Sequence, residues 1–339
     1  MRYLILAEAR SGDPHFGKTA RGVMRYAPEK VACLLDSERA GETEQGFPIV
    51  ATVEEALAYE PDTALVGVAT QGGRFPPAWK ELLAACVAHG LDLENGLHEF
   101  LTDDPELVEL ARRHDVELRD LRRPPDGLNV PSGENLEVPA RIVLTVGSDC
   151  AIGKMTVALE LTNELRRRGT AAEFVPTGQT GIAIAGWGIS VDAVVADFLA
   201  GAAERLVVEG HRRGGELLVV EGQGSLVHPQ YSGVTLGLLH GSAPHALVLC
   251  HKAGQRYVDD DERFPIPPLR DLVELHERMS LLARPAKVVA VALNTRDFDE
   301  AEARTSIEEA QADTGLPADD PVRFGAEALA GVLLSQAQY

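Results

Sequence analysis

The sequence predicts an α/β protein built from two layered domains, each with a mostly parallel sheet. Three observations predict it. Short apolar runs alternate with amphipathic stretches along the whole 339 residues, the pattern of strands buried on both faces between helices. The alternation breaks once, in "DLRRPPDGLNVPSGENLEVPA", where four prolines interrupt it. It then restarts with "RIVLTV" running straight into "GSDCAIGK", a strand, a glycine turn and the head of a helix.

In the first third, "YLILA", "KVACLLD" and "TALVGVA" are expected as strands, with "TARGVMRYA", "TVEEALAYE" and "AWKELLAACVAHG" as the helices between them. Residues 1–125 are therefore read as an N-terminal Rossmann-like domain and 126–140 as a linker. Residues 141–339 are read as a P-loop NTPase-like, doubly wound domain. Its strands are expected at "RIVLTV", "AEFVP", "ELLVVE", "HALVLC", "KVVAVALN" and "PVRF". Its helices are expected from Lys154 to Arg168, from Val191 to about Glu209, from Pro268 to about Leu282 and from Asp299 to about Asp313.

Apolar residues make up 45% of the chain and no apolar run reaches membrane-span length. "MRYLILAEARSG" reads as a first strand rather than a signal peptide, and a cytoplasmic location is expected. Formal charge is −20, from 52 acidic and 32 basic residues, only six of them lysine. Such a surface repels nucleic-acid backbones and anionic membranes at long range, so neither is expected as a partner. Cys33, Cys86, Cys150 and Cys250 show no paired metal-ligand spacing, so reduced thiols are expected and zinc is not. A homo-oligomer is the default for an enzyme of this size.

Two stretches compete as phosphate cradles. "GDPHFGKT", from Gly12, fits the strict spacing of such a loop, but Pro14 has no N–H to offer, and four residues separate the loop from its strand. It reads as the helix-opening turn of the first domain. "GSDCAIGKMT", from Gly147, carries five residues between its glycines and Met155 where a hydroxyl is usual. Its surroundings are right: a strand leads in, and a helix with Val157, Leu161 and Leu165 on one face leads out. Gly147, Ser148, Asp149, Cys150, Ala151, Ile152, Gly153, Lys154, Met155 and Thr156 are therefore the expected cradle, with Lys154 neutralising phosphate oxygens. "ELLVVEG" ends a strand on Glu221, where a metal-site carboxylate belongs. Thr156 and Glu221 are candidate magnesium ligands, with a structural first-turn role the alternative for Thr156, and Asp149 is either a turn residue or a third ligand.

Gln179, Thr180, Gly181 and Trp187 lie in a glycine-rich segment after a strand end and are expected to face substrate. His228, in "GSLVHPQYSG", is the general-base candidate. His251, Lys252 and Arg256 form a basic knot that could hold substrate carboxylates, and Lys252 could also steady an oxyanion. Each has a plain structural alternative: a packed tryptophan, a satisfied loop histidine, ordinary ion pairing.

At "GSDCAIGK", "VVEGQGS" and "GISVDAVVADF" the chain resembles dethiobiotin synthetase and its relatives. That resemblance implies a magnesium-binding role for Asp192, for which a helix cap is the rival reading, and, with related P-loop enzymes, a base-contacting role for Asn294, for which a turn-forming asparagine is the rival. It departs at Val175, before Pro176, where those enzymes carry a lysine. A fuller resemblance is to the D-glutamate N-acetyltransferase-like family, carried by "GKTARGVMRY", "GSDCAIGKMT", "PTGQTGIAIAGWGISVDAVVADF", "VVEGQGSLVHPQYSGVTLGLLHG", "FPIPPL" and "RPAKVVAVALNT". It implies acetyl transfer from acetyl-CoA to the amino group of D-glutamate. The alternatives are a Mg-ATP-dependent ligase or kinase that activates a substrate carboxylate, and a non-catalytic nucleotide sensor. The expected cofactor is thus acetyl-CoA or ATP, with Mg2+ as an optional companion, and the expected substrate is a small acidic amino acid.

Overall fold

The computed structural model describes residues 1–13, 17–281 and 283–335. Pro14, His15 and Phe16, the middle of the early glycine-rich stretch, lie outside the described residues. Two compact units divide the chain: Met1–Pro124 with Ile182–Ser190, and Pro125–Gly181 with the rest.

The first unit is Rossmann-like. In chain order it contains β1 (Tyr3–Leu6), α1 (Lys18–Tyr26), β2 (Val31–Leu35), β3 (Thr43–Glu44), β4 (Phe47–Val50), α2 (Val53–Ala56), β5 (Thr63–Val66), α3 (Trp79–Ala88), β6 (Asp92–Asn95), α4 (Pro105–His114) and β7 (Leu118–Asp120). The sheet order is β3-β4-β2-β1-β5-β6-β7, parallel except for the β3–β4 hairpin. β1 and β2 are buried along their whole length, which is why they read as unbroken apolar runs. β6 and β7, "DLEN" and "LRD", carry too many charges to be read that way. Their charges are paired instead: Tyr3 donates to Glu94 at 3.0 Å, and Arg119 lies 3.4 Å from the same carboxylate. α4 begins at Asp104, whose side chain accepts the Glu106 and Leu107 amides, with Pro105 at the first helical position.

The second unit holds α5 (Glu134–Glu137), β8 (Arg141–Gly147), α6 (Lys154–Arg167), β9 (Ala172–Val175), α7 (Gln179–Ala185), α8 (Ala196–Arg212), β10 (Leu217–Val220), α9 (Ser232–Ser242), β11 (Ala246–Lys252), α10 (Leu269–Ser280), β12 (Lys287–Asn294), α11 (Glu300–Thr314), β13 (Ala318–Asp319) and α12 (Glu327–Ser335); the last four residues of α7 cluster with the first unit. Its sheet runs β13-β12-β11-β8-β10-β9, all parallel. The chain leaves β8 toward β9 and later crosses back to β11. Strand order therefore reverses beside β8, and open α/β sheets bind ligands outside the strand ends at such a point.

Two expectations need correction, and one helix has no counterpart in the sequence reading. "PVRF" is a turn, because the Asp320 carboxylate accepts the Val322 and Arg323 amides at 2.9 and 3.0 Å; the last strand is Ala318–Asp319. The glycine-rich "SGVTLGLLHGS" is a helix, α9, whose Gly237 and Gly241 allow close contact with Leu199 and with the Ala200 carbonyl of α8. The proline-rich stretch read as a linker contains α5 and packs within the second unit. Glu204 of α8 accepts Ser132 N–H, Ser132 O–H and Gly133 N–H at 2.6–2.8 Å, and Asn135 donates to Gly241 at 2.7 Å.

Among the described residues, no helix is long and apolar enough to cross a membrane.

Candidate functional site

The loop between β8 and α6 is the P-loop of the second unit. β8 delivers Gly147 to the end of the sheet, where a Cβ would meet the Ile152 side chain at 2.7 Å. The turn is made by two left-handed residues, Ala151 at φ 52° and Gly153 at φ 114°. An alanine normally avoids that region, so the loop is held in shape from outside. Asn294, at the end of β12, does part of this by donating from Nδ2 to Ile152 O at 3.1 Å. Ser148 is fully buried, with its N–H on Cys250 O and its Oγ 2.8 Å from His251 Nδ1.

Lys154 opens α6 and is only 6% exposed; its Nζ donates to Asp149 O at 2.5 Å. An ammonium at the head of a helix, over a turn of backbone amides, is suited to a phosphate group. Asp149, also buried, has its carboxylate engaged within the protein. It accepts Cys150 N–H at 2.6 Å, Gln255 Nε2 at 2.6 Å and Asp259 N–H at 2.8 Å, which ties the loop to the chain after β11. Gly222, after β10, is packed on Thr145: its N–H meets Thr145 Oγ1 at 2.9 Å, and a Cβ there would lie 3.2 Å from the Lys154 side chain.

Thr156, Asp192 and Glu221, the expected metal ligands, have different surroundings. Glu221 is buried, and its Oε2 accepts the Thr177 and Gly178 amides at 2.9 and 3.2 Å, bracing the turn after β9. Asp192 is exposed on the one-turn helix Val191–Ala193. Thr156 sits half-buried in the first turn of α6. Among the described residues, the group of three acidic, cysteine or histidine side chains with donor atoms within 4.8 Å of one another is Asp149, Cys150 and His228, without Glu221 or Asp192. No cysteine spacing announces it, because its three members come from two separate loops.

His228 runs against the general-base expectation. Its ring is 1% exposed, and Nδ1 accepts the Gln230 backbone N–H at 3.1 Å. A backbone N–H can only donate, so the ring proton is on Nε2, the nitrogen that faces Asp149. A protonated nitrogen cannot take a second proton.

The basic knot is also weaker than its sequence. Burial pushes His251 down to about 4, against a smaller opposing pull from Asp149, so it is neutral near pH 7. Lys252 is paired with Asp297 at 2.9 Å, and Arg256 is exposed. His251 and Arg256 do share the wall of a cavity of about 410 Å³ with Gln255, Pro267 and Leu293. Glu309 and Asp313 line the same cavity, a poor surrounding for a substrate carboxylate.

Gln179, Thr180 and Gly181 start α7 beside Glu221; a Cβ on Gly181 would meet Glu221 Oε2 at 2.5 Å. Trp187 follows six residues further along the chain. It is 9% exposed and belongs to Ile182–Ser190, which clusters with the first unit. There Tyr3 donates to Ala183 O at 3.3 Å and Lys30 to Ile184 O at 2.7 Å. In that same unit Asp36, at the end of β2, accepts the Ala9 and Ser11 amides at 3.1 and 3.0 Å, so its carboxylate is engaged with the loop after β1.

Comparison with known proteins gives a consistent picture. A family model described as a domain of unknown function, DUF1611_C, P-loop domain, matches residues 129–330, and its companion, DUF1611_N, Rossmann-like domain, matches 35–124. A D-glutamate N-acetyltransferase of Tritonibacter scottomollicae is 38% identical over 283 residues, 83% of this chain and 84% of the relative. One from a Pseudoalteromonas species is 34% identical over 276 residues, 81% and 82% respectively. The crystal structure of a DUF1611 family protein from Anabaena variabilis covers 98% of this chain and 99% of its own, with 38% identity and a TM-score of 0.91.

Proposed function

This chain belongs to the DUF1611 family, and on that premise we propose that it is a P-loop group-transfer enzyme moving an acetyl group from acetyl-CoA to the amino group of a small acidic amino acid, D-glutamate. The observation that carries this reading is its likeness, across four-fifths of both chains, to two enzymes named for that reaction. The loop geometry supports a location for the donor. The amides of 147–156 and the Lys154 ammonium would hold phosphate oxygens of coenzyme A.

In the reaction the substrate amine attacks the thioester carbonyl, a C–N bond forms, the C–S bond breaks, and coenzyme A leaves as its thiol while the amine gives up a proton. The thioester lies at the far end of the pantetheine arm from the phosphates. A side chain that touches the cradle is therefore placed to bind the donor rather than to handle the reacting carbonyl. A Mg-ATP ligase or kinase is the second reading. It would draw on Glu221 and Asp192, whose placements, one braced under two amides and the other on an exposed turn, favour it less.

A thiol-release assay with acetyl-CoA and D-glutamate tests the proposal. Stoichiometric release of coenzyme A with D-glutamate consumed and no ATP present is expected. Release that requires ATP and magnesium and yields ADP would replace the transferase with the ligase.

A further inference from the structure

We propose that His228 is a ligand of the phosphate held in the 147–156 loop, donating a hydrogen bond from Nε2–H, and that the Asp259 carboxylate stands in that place until a ligand arrives. This rests on the reading that the loop holds a phosphate group.

The ring is fixed on every side but one. Its own backbone closes a tight turn, with the amide on Ser225 O and the carbonyl accepting from Tyr231 and Ser232. The Tyr231 ring lies 4.7 Å away, centroid to centroid. Gln230 N–H fills Nδ1 at 3.1 Å. The remaining atom, Nε2, is buried and has no hydrogen-bond partner. A buried donor without an acceptor is uncommon and calls for an explanation.

Two carboxylates face it. Asp149 Oδ1 is 3.9 Å away and already accepts elsewhere. Asp259 Oδ2 is 3.4 Å away and out of line for a hydrogen bond. The Asp259 backbone is anchored by its N–H on Asp149 at 2.8 Å and is left-handed at φ 54°, but its side chain is 64% exposed. An N–H with an anion near but not bonded, beside a phosphate loop, is an anion subsite with a poor occupant. A metal at Asp149, Cys150 and His228 would need Nε2 stripped of its proton and Nδ1 given one against the Gln230 N–H.

Calorimetric titration of coenzyme A, and separately of ATP, into the full chain in chelator-containing buffer tests this. His228→Gln keeps an N–H near Nε2 but can neither act as an imidazole base nor ligate a metal as one. It should bind within about threefold of wild type, while His228→Ala should lose about tenfold or more and Asp259→Asn should gain roughly threefold. Thermal melts of both His228 variants separate loss of binding from loss of fold. The proposal is overturned if folded His228→Ala binds as wild type does, or if His228→Gln is as weak as His228→Ala. Wild type that binds coenzyme A tightly but transfers no acetyl group would sink the functional reading and leave this one standing; wild type that binds neither ligand sinks the cradle and this proposal with it.

Discussion

Gly222 and Thr145 touch backbone to backbone: a Cβ built on Gly222 would sit 1.6 Å from the Thr145 carbonyl oxygen. The contact joins the ends of β10 and β8 directly beneath the P-loop, so the "EGQG" glycine is a packing requirement of the site. Gly222→Ala should destabilise the protein by about 3 kcal/mol or more, at the upper end of overpacking effects. It should also displace Lys154, whose side chain lies 3.2 Å from the same Cβ. Urea denaturation with a parallel coenzyme A titration checks both; a variant as stable as wild type would refute the contact.

Stability should fall on acidification. Burial holds His276 at about 4, with the Lys154 charge lowering it further and the Leu272 carbonyl opposing. The unfolded chain, at an ordinary 6.5, takes up a proton first as pH drops. The stabilisation is therefore fully present above pH 6.5 and lost as pH falls toward 4, a difference on the order of 3 kcal/mol for this group. His245 and His251 are displaced the same way, again chiefly by burial. Denaturation midpoints at pH 7 and pH 5 should differ in wild type and differ less in His276→Leu; an equal difference in both would show that His276 is not responsible.

The proline-rich segment should be released by a single change. Glu204, whose pKa is lowered by the Ser132 and Gly133 donors despite the opposing cost of burial, anchors it through three hydrogen bonds. Glu204→Ala should cost about 2 kcal/mol and open residues 126–137 to limited proteolysis. Cleavage no faster than in wild type would mean that the segment is held elsewhere.

Much of this was legible in the sequence. The fold class and the P-loop were, because fully buried parallel strands such as "RIVLTV" and "ELLVVE" write their position as apolar runs. What was not legible came from pairings made in space. β6 was hidden because Glu94 is charged yet buried against Tyr3 and Arg119. Pro321–Phe324 was misread because one carboxylate, Asp320, makes it a turn. The group of Asp149, Cys150 and His228 joins loops 79 positions apart in sequence, counted from Asp149 to His228, and the tautomer of His228 depends on the amide two residues on. Residue type announced a histidine near the site, but only geometry says which nitrogen carries the proton.

Thiol chemistry offers an independent probe of the loop. Burial raises Cys33, Cys86 and Cys250 to about 12, while Cys150 is half-buried within the loop. Under native conditions at pH 8, iodoacetamide should label Cys150 first, since reactivity follows thiolate fraction and access. Saturating coenzyme A or ATP should slow that labelling; peptide mass mapping reads it, and unchanged labelling with ligand bound would place the ligand elsewhere.

The central claim is that the turn at the head of α6, with its ammonium, captures phosphate. Calorimetric titration of coenzyme A and ATP into Lys154→Ala tests it most directly. Affinity weaker by about tenfold or more for at least one ligand, with acetyl transfer lost in parallel, is the predicted result. Affinity for both within roughly twofold of wild type, with turnover intact, would contradict it.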